Sequence, residues 1–155
     1  MKMVINMRKY FICLVMFLLI IGCTKKDEFS EKLEMISTQT FEEKSSYVDC
    51  DLDVQEINDN LYRFCVKIHQ PKENLDDVKA FVICDQAAEN IIPSYGFYEN
   101  DKCNLYINKI DKDNNYYEGI SLMGLSKDKT INCKLYISYR IDGVEYEEYI
   151  LLRGK

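Results

Sequence analysis

Histidine is the side chain that many hydrolases use as a general base, and this chain of 155 residues contains one, His69. A serine hydrolase of the Gly-x-Ser-x-Gly type also carries its nucleophile on a recognisable turn. No such pattern occurs in the sequence. His69 ends a segment whose polar residues alternate outward, where a histidine is usually a surface residue. The sequence therefore predicts a protein that is not an enzyme.

Oxygen-bearing side chains at alternating positions can bind calcium, and residues 111–115 (Asp-Lys-Asp-Asn-Asn) begin in that way. An EF-hand loop needs glycine at its sixth position and a bidentate glutamate at its twelfth. The chain has Tyr116 and Leu122 at those positions, so this stretch is predicted to be a hairpin turn. The cysteines also lack the Cys-x-x-Cys spacing of zinc sites. The sequence indicates no metal and no cofactor.

The aromatic side chains of this chain are candidates for binding a partner rather than for catalysis. Tyr95, Phe97 and Tyr98 fall in an irregular loop, and Tyr136 and Tyr149 face each other on the outer side of a predicted hairpin. Exposed aromatic residues often contact partners, so these five residues form the candidate binding surface. The alternative is ordinary packing, in which loop aromatics fold back onto the domain and the tyrosine pair stiffens the hairpin.

The elements that would position these residues are β-strands. Apolar and polar residues alternate through most of the chain after residue 46, and polar or Gly-containing turns separate the runs. The predicted strands are 47–54, 61–69, 78–84, 103–107, 116–122, 131–141 and 144–152. Seven short strands without a long helical period indicate an all-β fold.

The first two strands have a register that the apolar pattern restricts. Pairing Leu52 with Phe64 places the apolar side chains of both strands on one face, whereas a slip of one residue would exchange the faces. In this register Cys50 points inward and Cys65 points outward. A disulfide between them is therefore not expected, and Cys65 should react with thiol reagents in the folded protein.

The last two strands flank Asp142-Gly143, which is a strong signal for a two-residue hairpin turn with positive φ at both positions. Such a turn pairs Arg140 with Glu145, Tyr139 with Tyr146 and Tyr136 with Tyr149. Glu148 then falls opposite Ile137 on the inner face. Either a β-bulge or a hydrogen-bonded inward carboxylate would accommodate it.

The strand pattern between residues 47 and 152 resembles the immunoglobulin or fibronectin type III class. This resemblance implies an antiparallel β-sandwich, and it rests on strand spacing alone. The chain has no tryptophan, and Cys65 faces the wrong way for the usual disulfide between the sheets. A small closed barrel of the lipocalin kind is the alternative fold.

The N-terminus carries an export signal. Lys2, Arg8 and Lys9 precede an uncharged apolar run at 11–21, which is too short to span a bilayer comfortably, and Gly22 and Cys23 follow. The ending Ile-Ile-Gly-Cys resembles the lipobox of bacterial lipoproteins. This resemblance implies cleavage before Cys23 and attachment of lipid, including palmitate, to Cys23.

The chain then divides into a signal peptide at 1–22, a lipidated cysteine with a flexible tether at 23–46, and a β-sandwich domain at 47–155. Residues 24–46 are rich in Lys, Glu, Ser and Thr, and a solvated tether is favoured there over a short amphipathic helix. Removing the signal takes away three basic residues and no acidic ones, which lowers the formal net charge from −6 to −9. Nucleic acid is therefore a poor partner.

Five cysteines remain after the signal is removed and Cys23 is lipidated. Export permits disulfides, but an odd number leaves at least one thiol free or paired with another chain. Connectivity does not follow from the spacing, although a bridge between Cys84 and Cys103 is conceivable because both fall at strand ends beside the irregular loop.

Together these features predict a lipid-anchored, extracytoplasmic lipoprotein of the cell membrane. Its sandwich would act as a non-catalytic binding or adaptor module of the cell envelope, and its partner would be another envelope or surface protein. The alternative function is a small-ligand carrier, which requires the lipocalin-like barrel and an apolar cavity. The oligomeric state does not follow from the sequence.

Overall fold

The structure is a computed structural model that describes residues 27–154. The predicted signal peptide at 1–22 and Cys23 lie outside the described residues. The chain divides into two compact units at residue 32, and all of the described strands belong to the second unit, residues 33–155.

One α-helix, α1 (Glu28–Met35), opens the described part of the chain. The Ser30 N–H donates to the Asp27 carboxylate at 2.7 Å, which satisfies a free backbone donor at the start of the helix and lowers the pKa of Asp27. A 3-10 turn, Ile36–Thr38, follows the helix. The preference for a solvated tether over a helix is therefore wrong for residues 28–38.

The segment after this turn pairs with the last strand of the domain. The Glu42 N–H donates to the Tyr149 carbonyl at 2.8 Å, and the Leu151 N–H donates to the Glu42 carbonyl at the same distance. Arg153 contacts Glu43 at 2.7 Å. Because backbone hydrogen bonds fix this segment on the strand, the prediction of a tether reaching residue 46 is wrong for residues 42 and 43.

Nine strands follow, and their bounds are β1 Asp49–Asn58, β2 Leu61–His69, β3 Asp76–Cys84, β4 Ser94–Tyr95, β5 Asn104–Leu105, β6 Tyr116–Tyr117, β7 Gly119–Ser126, β8 Asn132–Ile141 and β9 Val144–Arg153. Strands β1, β2 and β7 form one antiparallel sheet, and β4, β3, β8 and β9 form the other, each in that spatial order. The short strands β5 and β6 pair in parallel. The predicted strand 103–107 is therefore reduced to two residues.

This arrangement confirms the predicted all-β antiparallel sandwich with about seven principal strands. The strand order is 1-2-7 in one sheet and 4-3-8-9 in the other. The sheets do not close into a barrel, so the lipocalin-like alternative is wrong.

The core lies between the two sheets and is built from alternate residues of each strand. The largest fully buried apolar side chains there include Phe64 and Ile68 of β2 and Leu135 and Ile137 of β8. Burying each such side chain contributes roughly 1.5–3 kcal/mol, which makes the inner faces the main source of stability.

The predicted register of β1 and β2 is wrong by two residues, although the faces are right. Leu52 pairs with Val66 rather than with Phe64, and Asp53 pairs with Cys65. Strand β1 continues to Asn58 and turns tightly through residues 59 and 60, with a register shift just before the turn. A shift of two residues preserves the faces because side chains alternate with period two. Cys50 and Cys65 therefore lie on opposite faces, as predicted.

The hairpin of β8 and β9 has every predicted partner, including Arg140 with Glu145 and Tyr136 with Tyr149. Asp142 and Gly143 both have positive φ, 51° and 79°. Glu148 lies opposite Ile137 without a bulge, and its carboxylate is hydrogen-bonded. The second of the two solutions proposed from the sequence is therefore the one that the chain adopts.

The turn at Gly143 gives a test of the hairpin. A Cβ at this position would meet nothing within 4 Å, so any cost of substitution comes from the backbone alone. Gly143→Val should destabilise the protein by about 1–3 kcal/mol, because a β-branched residue resists positive φ. Gly143→Asn is the matched control, since Asn tolerates this conformation, and it should cost less than about 1 kcal/mol. Denaturant melts measure both, and equal losses would contradict the assigned turn.

Candidate functional site

The connection between β3 and β7, residues 85–118, is the longest in the domain, and we call it the excursion. It contains β4, β5, β6 and two 3-10 turns. Four large hydrophobic side chains of the excursion are exposed, namely Ile91, Tyr98, Ile107 and Ile110. Long loops on a rigid scaffold commonly carry binding residues, which makes the excursion the first place to look for a site.

The excursion is fastened to β3 by close backbone contacts. The Val78 N–H donates to the Cys103 carbonyl at 2.8 Å, and the Val82 N–H donates to the Pro93 carbonyl at 3.1 Å. Gly96 has φ +82°, and a Cβ there would lie 2.0 Å from the Val78 carbonyl oxygen, so only glycine fits. The excursion is therefore held on the sheet at several points.

The predicted aromatic surface is largely covered. Tyr136 lies on the outer face of its sheet with 0% exposure, stacked on Phe81 with 5.1 Å between ring centroids. Phe97 from the excursion covers both rings, at 5.9 Å and 6.3 Å. Tyr149 packs beside Tyr136 at 5.4 Å. These rings form a second apolar layer outside the sheet, as in the packing alternative.

The remaining two aromatic residues of the predicted surface differ in exposure. Tyr95 is half-buried and hydrogen-bonded to Tyr117, and burial, followed by that bond, raises the pKa of Tyr95 to about 12. Tyr98 is 56% exposed. Among the five predicted residues, Tyr98 therefore offers the most open ring to a partner.

A cleft of about 430 Å³ lies where the excursion meets the end of β2, and we call it the His69 cleft. Its lining residues are His69, Gln70, Pro71, Tyr106, Ile107, Asn108 and Glu118. Gln70 and Asn108 both have positive φ, 50° and 53°, although neither is glycine. Backbone held in this region costs free energy and is enriched at functional sites. The cleft combines an aromatic ring, an exposed isoleucine and polar groups.

A pair of tyrosines supports the wall of this cleft. The Tyr106 and Tyr116 rings lie 4.6 Å apart, and the Lys109 ammonium sits 3.4 Å from the centre of the Tyr116 ring. The Tyr106 hydroxyl donates to Asp76 at 2.8 Å, and this bond is the main cause that raises the pKa of Tyr106 to about 12. Tyr106 is therefore a fixed, neutral wall of the cleft.

His69 is hydrogen-bonded to a carboxylate of the neighbouring strand, with 2.7 Å between Nε2 and Oδ2 of Asp51. The other outward aspartates of β1 have lysine partners, since Asp53 pairs with Lys67 and Asp49 lies 3.8 Å from Lys72. Each of the three outward aspartates of β1 therefore has a lysine or histidine side chain of the protein itself as a partner. No serine or cysteine lines the His69 cleft, so the histidine has no nucleophile there to activate.

A second cleft, of about 270 Å³, lies over the irregular start of β3. Arg140 and Asp77 form an ion pair at 2.8 Å in it, and Lys79, Lys102 and Glu145 also line it. The charges are mixed, and the pair between β3 and β8 shifts register at this point. The cleft therefore has no single charge that would select an anion or a cation.

One polar group lies close to the inner face. The Glu148 carboxylate accepts hydrogen bonds from the Ser45 hydroxyl and, at 2.9 Å, from the Ser46 N–H. Burial, followed by the charge of Glu148, raises the pKa of Cys50 to about 12, so this thiol is not a nucleophile near neutral pH. Burial and Glu148 also raise the pKa of Tyr139. The group is suited to holding the chain before β1 against β9 rather than to catalysis.

Within residues 27–154, no three His, Cys, Asp or Glu side chains are grouped so that they could hold a metal ion. None of the helices in the described part of the chain has the length and apolar character that crossing a bilayer requires.

Comparison of the chain with models of protein families, with characterised proteins and with solved structures finds no match. The candidate site is therefore defined by its geometry alone.

Sequence patterns missed most of the His69 cleft. Ile107 was placed in a strand, and Gln70 gives no sequence signal for positive φ. The available clue was Asn108, because Asn is one of the residue types enriched at positive φ.

The role assigned to Glu148 can be tested by stability. Glu148→Ala leaves the Ser45 hydroxyl and the Ser46 N–H without their acceptor, and we expect a loss of about 1–3 kcal/mol. Glu145→Ala, on the same strand but exposed, should change stability by no more than about 0.5 kcal/mol. Urea melts measure both variants, and equal effects would contradict the role of Glu148.

Proposed function

We propose that the chain is a lipid-anchored, extracytoplasmic lipoprotein whose sandwich is a non-catalytic binding or adaptor module. The excursion is its binding surface, and its partner is another protein of the cell envelope or cell surface. The observation that carries this proposal is the exposure of Ile107, which lines the His69 cleft, and of Ile110, which follows three residues later in the excursion. Exposed apolar side chains grouped on a loop beside polar groups are typical of protein interaction sites.

The anchoring half of the proposal rests on the N-terminal sequence. A basic start, a short apolar run and the ending Ile-Ile-Gly-Cys together favour export followed by lipid attachment at Cys23. Anchoring at a membrane would place the sandwich beside other envelope components. Its net charge of −9 without the signal disfavours contact with nucleic acid and with anionic head groups.

The shape of the site supports a protein partner over a small ligand. The space between the sheets is filled by side chains with almost no exposure, among them Phe64, Val82 and Leu135. The His69 cleft lies at the surface, and its lining combines Ile107 with His69, Gln70 and Glu118. An apolar side chain rimmed by polar groups matches the core and rim of a protein interface.

Lipid attachment gives the first test of this proposal. Cys23→Ser should abolish incorporation of labelled palmitate and leave the precursor unprocessed, because the thiol is the acceptor of the lipid. Cys13→Ser is the matched control, since Cys13 lies within the apolar run, and it should leave labelling unchanged. Continued labelling of the Cys23 variant would remove the basis for the anchor.

Partner binding gives the second test. The fragment 24–155 is immobilised and exposed to a detergent extract of its native cell envelope. We expect it to retain an envelope protein, and Ile107→Asp together with Ile110→Asp should reduce the retained amount at least tenfold. A hot-spot residue contributes about 2 kcal/mol or more, so two of them account for such a loss.

Ile57→Asp is the matched control for this experiment. Ile57 is 46% exposed, as is Ile107, but it lies beside the turn between β1 and β2. This variant should retain the partner at the wild-type level. Equal retention by all three proteins would show that the excursion is not the binding surface.

A further inference from the structure

Two cysteines face each other across the central strands of the four-stranded sheet. Cys84 is the last residue of β3, and it pairs directly with Cys133 of β8. Both side chains belong to the core between the sheets, with exposures of 8% and 0%. The two thiols are therefore held side by side in a region that solvent barely reaches.

Backbone hydrogen bonds show whether Cys84 and Cys133 form a hydrogen-bonded or a non-hydrogen-bonded pair of the antiparallel sheet. The Ile131 carbonyl, two residues before Cys133, accepts a hydrogen bond from the N–H of Gly154, which directly follows β9, so the backbone groups of Cys133 also point toward β9. On β3, the Val82 N–H donates to the Pro93 carbonyl, and the Cys84 carbonyl accepts from the Ala87 N–H. The backbone groups of Val82 and Cys84 therefore point away from β8. Cys84 and Cys133 therefore form a non-hydrogen-bonded pair, in which Cα atoms lie about 4.5 Å apart.

This separation suits a disulfide, which requires Cα atoms about 4.4–6.8 Å apart. The other described cysteines do not meet this requirement with Cys84. The Cys103 carbonyl accepts a hydrogen bond from the Val78 N–H. Val78 lies six residues from Cys84 along β3, which corresponds to about 20 Å. The conceivable Cys84–Cys103 bridge is therefore excluded. Cys50 and Cys65 belong to the opposite sheet, about 10 Å away across the core.

We propose that Cys84 and Cys133 form an intrachain disulfide when the protein meets a low-molecular-weight disulfide such as oxidised glutathione. The proposal rests on the proposed function only for the oxidising compartment in which the chain would meet that oxidant. The geometry of the pair stands independently of where the protein works.

The exposure of the two thiols determines which of them reacts first with the oxidant. Cys84 lines a surface cleft of about 270 Å³ together with residues of 85–93, whereas Cys133 is fully buried. Burial raises the pKa of both thiols, and Cys133 has the further influence of Cys84 beside it. Cys84 is therefore the thiol that the oxidant reaches first, and its reaction near neutral pH is slow.

The chemistry is an exchange of one disulfide for another. The Cys84 thiolate attacks one sulfur of oxidised glutathione, forms a mixed disulfide and releases one glutathione thiolate. Cys133 then loses its proton and attacks the Cys84 sulfur, which releases the second glutathione thiolate. The two protein thiols lose two electrons, the glutathione disulfide gains them, and the two protons end on the released glutathione.

The bond would close a loop of about 50 residues that contains the entire excursion. A cross-link of this length restricts the unfolded chain and raises the Tm by on the order of 10 °C. It would also join the two central strands at the point where the excursion leaves β3. The binding surface would then be attached to a covalently closed frame.

The test uses the purified full chain, so its outcome does not depend on export or on lipid attachment. The chain is incubated with oxidised glutathione, both folded and during refolding from urea, and the remaining thiols are blocked with N-ethylmaleimide. Trypsin cleavage after Lys and Arg places the five described cysteines in five different peptides. We expect peptides 80–102 and 130–134 to be joined, and peptide 64–67 to carry the label on Cys65.

The second measurement is thermal. Reduction should lower the Tm of the oxidised wild type by on the order of 10 °C, and it should have no such effect on a Cys84→Ser, Cys133→Ser double variant. Cys65→Ser is the matched control and should keep the full shift. If the double variant does not fold, the peptide map of the wild type decides alone. Peptides 80–102 and 130–134 that remain separate after both treatments, or that join other cysteines, would overturn the proposal.

Discussion

The alternation of side chains along each strand is the constraint on which this structure depends. Two sheets bury one face each, so every principal strand must present apolar residues at every second position, and Phe64, Leu135 and Ile137 do so with almost no exposure. This constraint acts on faces and leaves register free in steps of two. The pair of β1 and β2 illustrates the point, because the observed register differs from the expected one by two residues while every face is retained.

How far the sequence predicts the fold depends on whether turn chemistry adds to this alternation. Asp142-Gly143 defines a two-residue turn, and all expected partners of β8 and β9 follow from it. The turn at residues 59 and 60 has no comparable signature, because Asn60 reaches positive φ without a glycine beside it. The candidate site is still harder to predict from the sequence, because the positions of Gln70 and Asn108 depend on contacts between distant segments. Sequence periodicity does not contain that information.

The outer face of the four-stranded sheet explains why the aromatic residues were assigned to a surface. Tyr136 and Tyr149 do point away from the core, as the strand pattern requires, but Phe97 from the excursion lies over Tyr136 and Phe41 lies beside Tyr149. A strand pattern distinguishes the two faces of a sheet, and it does not show what a long loop later places on the outer one. Tyr136 is therefore covered, whereas Ile107 and Ile110 of the excursion are exposed.

The same long connection links the proposed binding surface to the four-stranded sheet. The excursion leaves β3 at Cys84, returns to bond Val78 and Val82 through its backbone, and reaches the edge of the other sheet where the Ala88 N–H donates to Leu125. A bond between Cys84 and Cys133 would fix the end of β3 at which the excursion begins, and its exposed residues lie further along the chain. A surface that is held at its ends and open at Ile107 and Ile110 loses little conformational entropy on binding, which favours affinity for a partner of fixed shape.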